Sequence, residues 1–235
     1  MKTRMLLPIA LLGCATAHVQ ASQSTQTESV QSVYTYALEL AADGAVSAIA
    51  PHGFQADATS RKLDAEIRNW IFEPAASGSG STTSTYLRVV TQASVDNSAG
   101  FEVVSATTGP APRSLAQPHF PFTDQMRGRE GTVVLELTVG ADGKVAQATV
   151  HDLHGGPSRA MANAALEAAR GWTFSPEIVD GQAVQGRLLW PVCYLGRASS
   201  VADCTWSGPD AQRLSSKTVL TLDPAVRLVA PVALQ

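Results

Sequence analysis

RGWTFSP at residues 170–176 has a counterpart in RNWIFEP at residues 68–74, so Arg-x-Trp-x-Phe-x-Pro is written twice, 102 residues apart. The ending has a physical reading. Trp closes the buried stripe of a helix, Phe starts the turn back towards a sheet, and Pro stops the helix from continuing. Upstream of the second copy, Val133, Leu135, Leu137 and Val139 alternate with Val134, Glu136 and Thr138, the period of a strand. Asp142-Gly143 supplies a tight hairpin, and Val145 to Val150 returns as a second strand. After the turn-rich stretch His151 to Pro157, Ser158 can cap a helix whose inner stripe is Met161, Ala165, Ala168 and Trp172. Gly181 then precedes a closing strand near Val184 to Tyr194.

The first copy follows the same order. Tyr34, Tyr36, Leu38 and Leu40 fall on apolar strand positions, Asp43-Gly44 on the hairpin, and Leu63, Ile67 and Trp70 on the helical stripe. The loop Ser77-Gly78-Ser79-Gly80-Ser81 leads to a closing strand at Tyr86 to Val90. The pattern predicts an α+β protein with two β-β-α-β domains, each a small antiparallel sheet packed on a helix.

Residues 117–195 resemble the TonB carboxy-terminal domain family. The similarity runs through QPHFP at 117–121, REGTVVLELTVGADGKV at 129–145, ALEAARGWTFSP at 165–176 and DGQAV at 180–184. Phe120 stands where the family usually has Tyr. Residues 33–92 look like a degenerate copy without the Gln-Pro lead. The resemblance implies a binding module whose last strand pairs with the TonB box of an outer-membrane receptor, with backbone bonds giving affinity and alternate side chains selectivity. Mapped here, the edge is Val184, Gln185, Arg187, Leu188, Leu189 and Trp190, with Gln117 and Phe120 beside it. Pro191 lacks a ladder donor and fits an edge strand. Trp190 reads either as partner anchor or as sheet core. A transducer resembling TonB also has a membrane helix and a long Pro-rich spacer; neither is read here, so energy transduction by this chain alone is not expected.

The start and composition set the compartment. Lys2 and Arg4 precede an apolar run from Met5 to Cys14, about half of the ~20 residues that a membrane-crossing helix needs. Residues 1–21 therefore read as a signal peptide. Leu11-Leu12-Gly13-Cys14 admits lipidation of Cys14, and cleavage after Ala17 or Ala21 is the other reading. Export to the periplasm leaves Cys193 and Cys204, which an oxidising compartment favours as a disulfide. The remaining chain divides into a flexible lead at 22–32, a linker at 93–116 and a tail at 196–235. Within the tail, Thr218 to Leu222 and Val226 to Val229 suggest two strands, which would either block the 184–190 edge or tie the repeats together. Homodimerisation is a further way to satisfy an edge.

Other chemistries find little support. A net charge of −3 without a basic cluster argues against nucleic acid. His151 and His154 are too few for a zinc site, and no metal or other cofactor is expected. No Gly-x-Ser-x-Gly stretch and no phosphate-loop Lys occurs, so no catalytic residue is assigned. The competing class is a structural envelope protein with its sheet edges occupied.

Overall fold

The computed structural model describes residues 31–74, 82–94, 100–196 and 219–230. Strands β1 (Gln31–Leu40) and β2 (Val46–Pro51) pair antiparallel. Between them the Asp43 carboxylate accepts from the Ala45 amide (3.0 Å), and Gly44 takes a positive φ of 84°. Helix α1 (Ala58–Ile67) starts on Asp57, whose side chain accepts from the Ser60 amide at 2.7 Å. Its Leu63 and Ile67 are fully buried with Trp70 against Tyr36, Leu38 and Leu40 of β1. Burying one such aliphatic side chain is worth about 2 kcal/mol. Strands β3 (Ile71–Pro74) and β4 (Thr83–Ala93) follow, and β4 lies along the full length of β1.

Residues 93–116, expected as a linker, hold two strands. β5 (Phe101–Gly109) pairs with β4, and β6 (Ala111–Ser114) will meet a strand of the second half. Phe101, buried, and Val103 and Ala106, partly buried, pack on the first core; Pro110 follows β5, and Pro112 sits in the short strand β6. There a missing N–H is tolerated.

Helix α2 (Phe122–Met126) precedes β7 (Gly131–Val139) and β8 (Val145–His154), which pair across Asp142-Gly143. Helix α3 (Arg159–Arg170) is capped by Ser158 Oγ, which accepts from the Met161 amide (3.1 Å). Met161, Ala165, Ala169 and Trp172 are buried against Val133, Leu135, Leu137 and Val139. Ala168, expected in the centre of the stripe, lies at its margin, because the i, i+4 path from Met161 runs through Ala169. Then come β9 (Thr173–Ser175), β10 (Ile178–Val179), β11 (Gln182–Ala183) and β12 (Gly186–Tyr194). β9 receives β6, and β10 pairs with Thr83 and Ser84 of β4, so the second half contributes to the first half's sheet.

The tail closes both halves. β13 (Leu220–Thr221) pairs with β12, and β14 (Val226–Ala230) pairs with β3. The sheets are thus β11-β10-β4-β1-β2, with β5 also on β4, and β13-β12-β7-β8. This is an α+β fold of antiparallel sheets. Several boundaries differ from expectation: residues 31–32 start β1 rather than ending a lead, β4 runs beyond Tyr86 to Val90 at both ends, and β12 begins at Gly186 rather than Val184. The signal peptide, Cys14, most of the 22–32 lead, the 77–81 loop and Cys204 lie outside the described residues. Among the described residues no helix is long and apolar enough to cross a membrane.

Candidate partner-binding edge

β12 lies in register with β7 from Gly186↔Val139 to Tyr194↔Gly131. Side chains alternate across it. Leu188, Val192 and Tyr194 point into the core beneath α3, whereas Leu189 meets Val134 and Leu220 on the opposite face. The edge mapped for partner binding, Val184 to Trp190, is not open throughout, and of the two placements considered for the tail strands blocking is observed here. Leu188 and Leu189 pair with Thr221 and Leu220 and are fully buried. Leu222 donates its amide to the Arg187 carbonyl at 2.9 Å.

Arg187 is exposed and held from three directions. Its backbone N–H donates to Asp223 Oδ1 (2.7 Å) and its Nε–H to Asp223 Oδ2 (3.1 Å). Its other guanidinium nitrogen lies 3.4 Å from Glu136, which has His151 at 3.8 Å on its far side. The Asp223 carboxylate, first by hydrogen bonding and then by charge, holds the Arg187 guanidinium above its ordinary range. Val184 lies between β11 and β12, its N–H donating to the Glu177 carbonyl at 2.9 Å, and Gln185 is exposed beside it. Neither belongs to the β12 ladder.

Trp190 is half-buried in the core. Its ring lies 5.6 Å from Trp172 and 5.7 Å from Phe174, with Arg88 of β4 over its face at 6.0 Å. Burial pushes the Arg88 guanidinium down to about 10. Trp190 is therefore a hinge of contact between the two halves.

Gln117 and Phe120 meet the other end of β12. Trp172 Nε1 donates to the Ala116 carbonyl (2.7 Å), which fixes the lead segment, and Phe120 packs edge-on against Tyr194 at 5.3 Å. Gln117, Pro118, His119 and Phe120 then line one side of a groove of about 530 Å³ whose other side is Val192 to Leu195. Among the described residues no strand pairs with β12 there. Arg187 turns its N–H and C=O outward, so alternation places those of Leu189, Pro191 and Cys193 on the same side. Pro191 thus lacks its donor at the outer edge, where the sequence assigned it. Cys193 is disulfide-bonded.

The residues that the sequence did not single out are Glu177, Asp223 and Leu220. Glu177 is 1% exposed and accepts from the Thr85 hydroxyl (2.6 Å) and the Ala225 amide (2.9 Å), joining β4 to the tail. Burial raises its carboxyl above the ordinary range, partly offset by these bonds. Among the described residues no three His, Cys, Asp or Glu side chains converge as a metal site, and His151 is instead beside Glu136.

Comparison with known proteins places this half of the chain. Residues 116–195 match the family model of the Gram-negative bacterial TonB protein C-terminal. Protein TonB of Vibrio cholerae serotype O1 is 38% identical over 76 residues, 32% of this chain and 30% of that protein. Protein TonB of Xanthomonas campestris pv. campestris (strain B100) is 30% identical over 89 residues, 38% of this chain and 39% of that protein. The solution NMR structure of the Pseudomonas aeruginosa TonB CTD is 25% identical, covers 39% of this chain and 88% of its own, and has a TM-score of 0.31. The chain thus spans well under half the length of the two TonB proteins. Over residues 116–195 it carries a domain of the TonB C-terminal family.

Proposed function

We propose that this is a periplasmic, non-enzymatic protein-binding module that engages outer-membrane TonB-dependent receptors in transmembrane transport. Its contact surface is the outer end of β12 together with the Gln117–Phe120 lead. The carrying observation is the groove lined by Gln117–Phe120 and Val192–Leu195. An extended receptor segment would lie there as an added strand. Export by a signal within residues 1–21, ending either at a lipidated Cys14 or by cleavage after Ala17 or Ala21, and a Cys193–Cys204 disulfide belong to the same reading. The first β-β-α-β unit is a degenerate copy with a structural task.

The experiment is an NMR titration of residues 22–235 with TonB-box peptides from receptors of the same organism. Shifts at Gln117, Phe120 and Val192 to Leu195, weakened by Gln117→Ala, support the reading. Absence of shifts at millimolar peptide sinks it.

One observation favours a second reading, a structural or self-associating envelope protein. The outer edge of β4 is filled by β5 and β10, and that of β12 is filled at Leu188 and Leu189 by β13. Sedimentation across a concentration series separates self-association through the remaining edges from a monomer.

A further inference from the structure

The contacts of residues 219–223 fall into two sets. Towards β5, the Thr107 hydroxyl donates to the Val219 carbonyl (3.1 Å) and the Thr221 hydroxyl donates to the Thr108 carbonyl (2.5 Å). Towards β12, Leu220 is seated on Leu189 and Val134, the Leu222 amide is on the Arg187 carbonyl, and the Asp223 carboxylate is on Arg187. A strand ladder would offer the Arg187 N–H a backbone carbonyl. Here a carboxylate takes that N–H and the Nε–H together, a charge-assisted, two-point contact. Glu136 steadies the guanidinium from behind.

We propose that the Arg187–Leu189 edge of β12 is a recognition site for an extended segment carrying an apolar residue and, three positions later, a carboxylate. Residues 220–223 of this chain are its resident occupant. The inference rests on β12 being the partner-facing strand and adds the chemistry of what it accepts. An external segment of this pattern, running antiparallel to β12, must displace the resident one. The ladder holding that occupant is only two residues long, and its ion pair is about half-exposed. The contacts to β5 keep the displaced tail on the first half of the molecule.

The test uses the full mature chain and a synthetic peptide copying residues 218–225 (TVLTLDPA). The double variant L220D/D223A empties the seat while leaving Arg187, Leu189 and Val134 in place. Its Trp emission and circular dichroism report whether it folds. The folded variant is expected to bind the peptide saturably, with amide shifts at Arg187 and Leu189, at least ~10-fold tighter than wild type does, because the resident segment no longer competes. A peptide with Asn in place of its Asp is expected to bind ~10-fold more weakly. Absence of saturable binding, or equal binding of the two peptides, overturns the proposal.

Amide exchange in wild type gives a second readout if the variant does not fold. The Leu222 and Arg187 amides are expected to exchange at least ~10-fold faster than the Leu188 and Val192 amides, which face β7. Equal protection means that the tail never leaves β12 short of unfolding, and overturns the proposal. No receptor segment is used here, so failure of the groove reading leaves these outcomes interpretable, and the converse also holds.

Discussion

The carbonyl oxygen of Phe174 occupies the space in which a side chain on Gly143 would have to stand. The Phe174 amide donates to the Gly143 carbonyl at 2.7 Å, and Pro176 Cδ lies 3.6 Å from the same point. Gly44, Phe72 and Pro74 repeat the arrangement, again with the proline carbon at 3.6 Å. The hairpin glycine and the Phe-x-Pro ending are therefore two halves of one contact in each unit.

Gly143→Ala should cost about 2–4 kcal/mol, combining a disfavoured positive φ with a backbone clash. Gly44→Ala should cost a similar amount. Urea denaturation of each variant checks this, and a loss below about 0.5 kcal/mol would show that the contact is slack.

Glu177 should make the fold sensitive to pH in one direction. Its folded carboxyl titrates above its ordinary value of 4.5 because burial disfavours the charge. A raised folded value means that the neutral form favours the native state. That contribution is full below the unfolded value and is lost as pH rises through the folded one. Melting temperatures from pH 4.5 upward should therefore fall more steeply in wild type than in Glu177→Gln. Parallel curves would contradict the assignment.

Trp172→Phe keeps the ring in the core and removes the bond to the Ala116 carbonyl. A loss of about 1 kcal/mol is expected, together with faster amide exchange around Ser114 to Gln117. Trp70, the matching side chain of the first unit, has no partner for its Nε1 among the described residues. Trp70→Phe should consequently cost less than Trp172→Phe in the same denaturation assay.

Tyr194 donates its hydroxyl to the Met161 carbonyl at 2.9 Å, and Tyr36 donates to the Ser60 carbonyl at the same distance. Burial pushes the Tyr194 phenol up to about 12. Its contribution to stability is full below the ordinary value of 10 and is lost as pH rises through the folded one. Burial raises the Tyr36 and Tyr34 phenols too, so ultraviolet titration should show several late-ionising phenols, of which Tyr194→Phe removes one, and that variant should lose about 1 kcal/mol at neutral pH.

The parts legible in the sequence are those set by neighbours along the chain. Alternation in Val133 to Val139, the Asp-Gly turns, the Ser158 cap and the Trp-x-Phe-x-Pro endings each act within a few residues, so pattern alone finds them. β5 lies in the stretch read as a linker: Gly109 and Pro110 mark only its end, and Pro112 belongs to β6. Both tail strands were visible as strands, but which edge each would take depends on contacts such as Arg187 with Asp223, across 36 residues. Gln117 and Phe120, expected beside the Val184 to Trp190 edge, lie by the far end of β12, away from Val184 and Gln185. Glu177 reads as an ordinary surface acid until Thr85 and Ala225 close over it.

The pairing of β14 with β3 sets an order of events. A chain that emerges amino end first exposes Ile71 to Pro74 long before Val226 to Ala230 exists to cover them, and Arg187 to Leu189 before Leu220. The β14–β3 pair and the β13 side of β12 stay incomplete until residues 220–230 arrive, and closing so long a loop is slow. A nascent molecule therefore passes through a stage with two unsatisfied strand edges, and its carboxy-terminal residues act as the timer that ends its exposure to other chains.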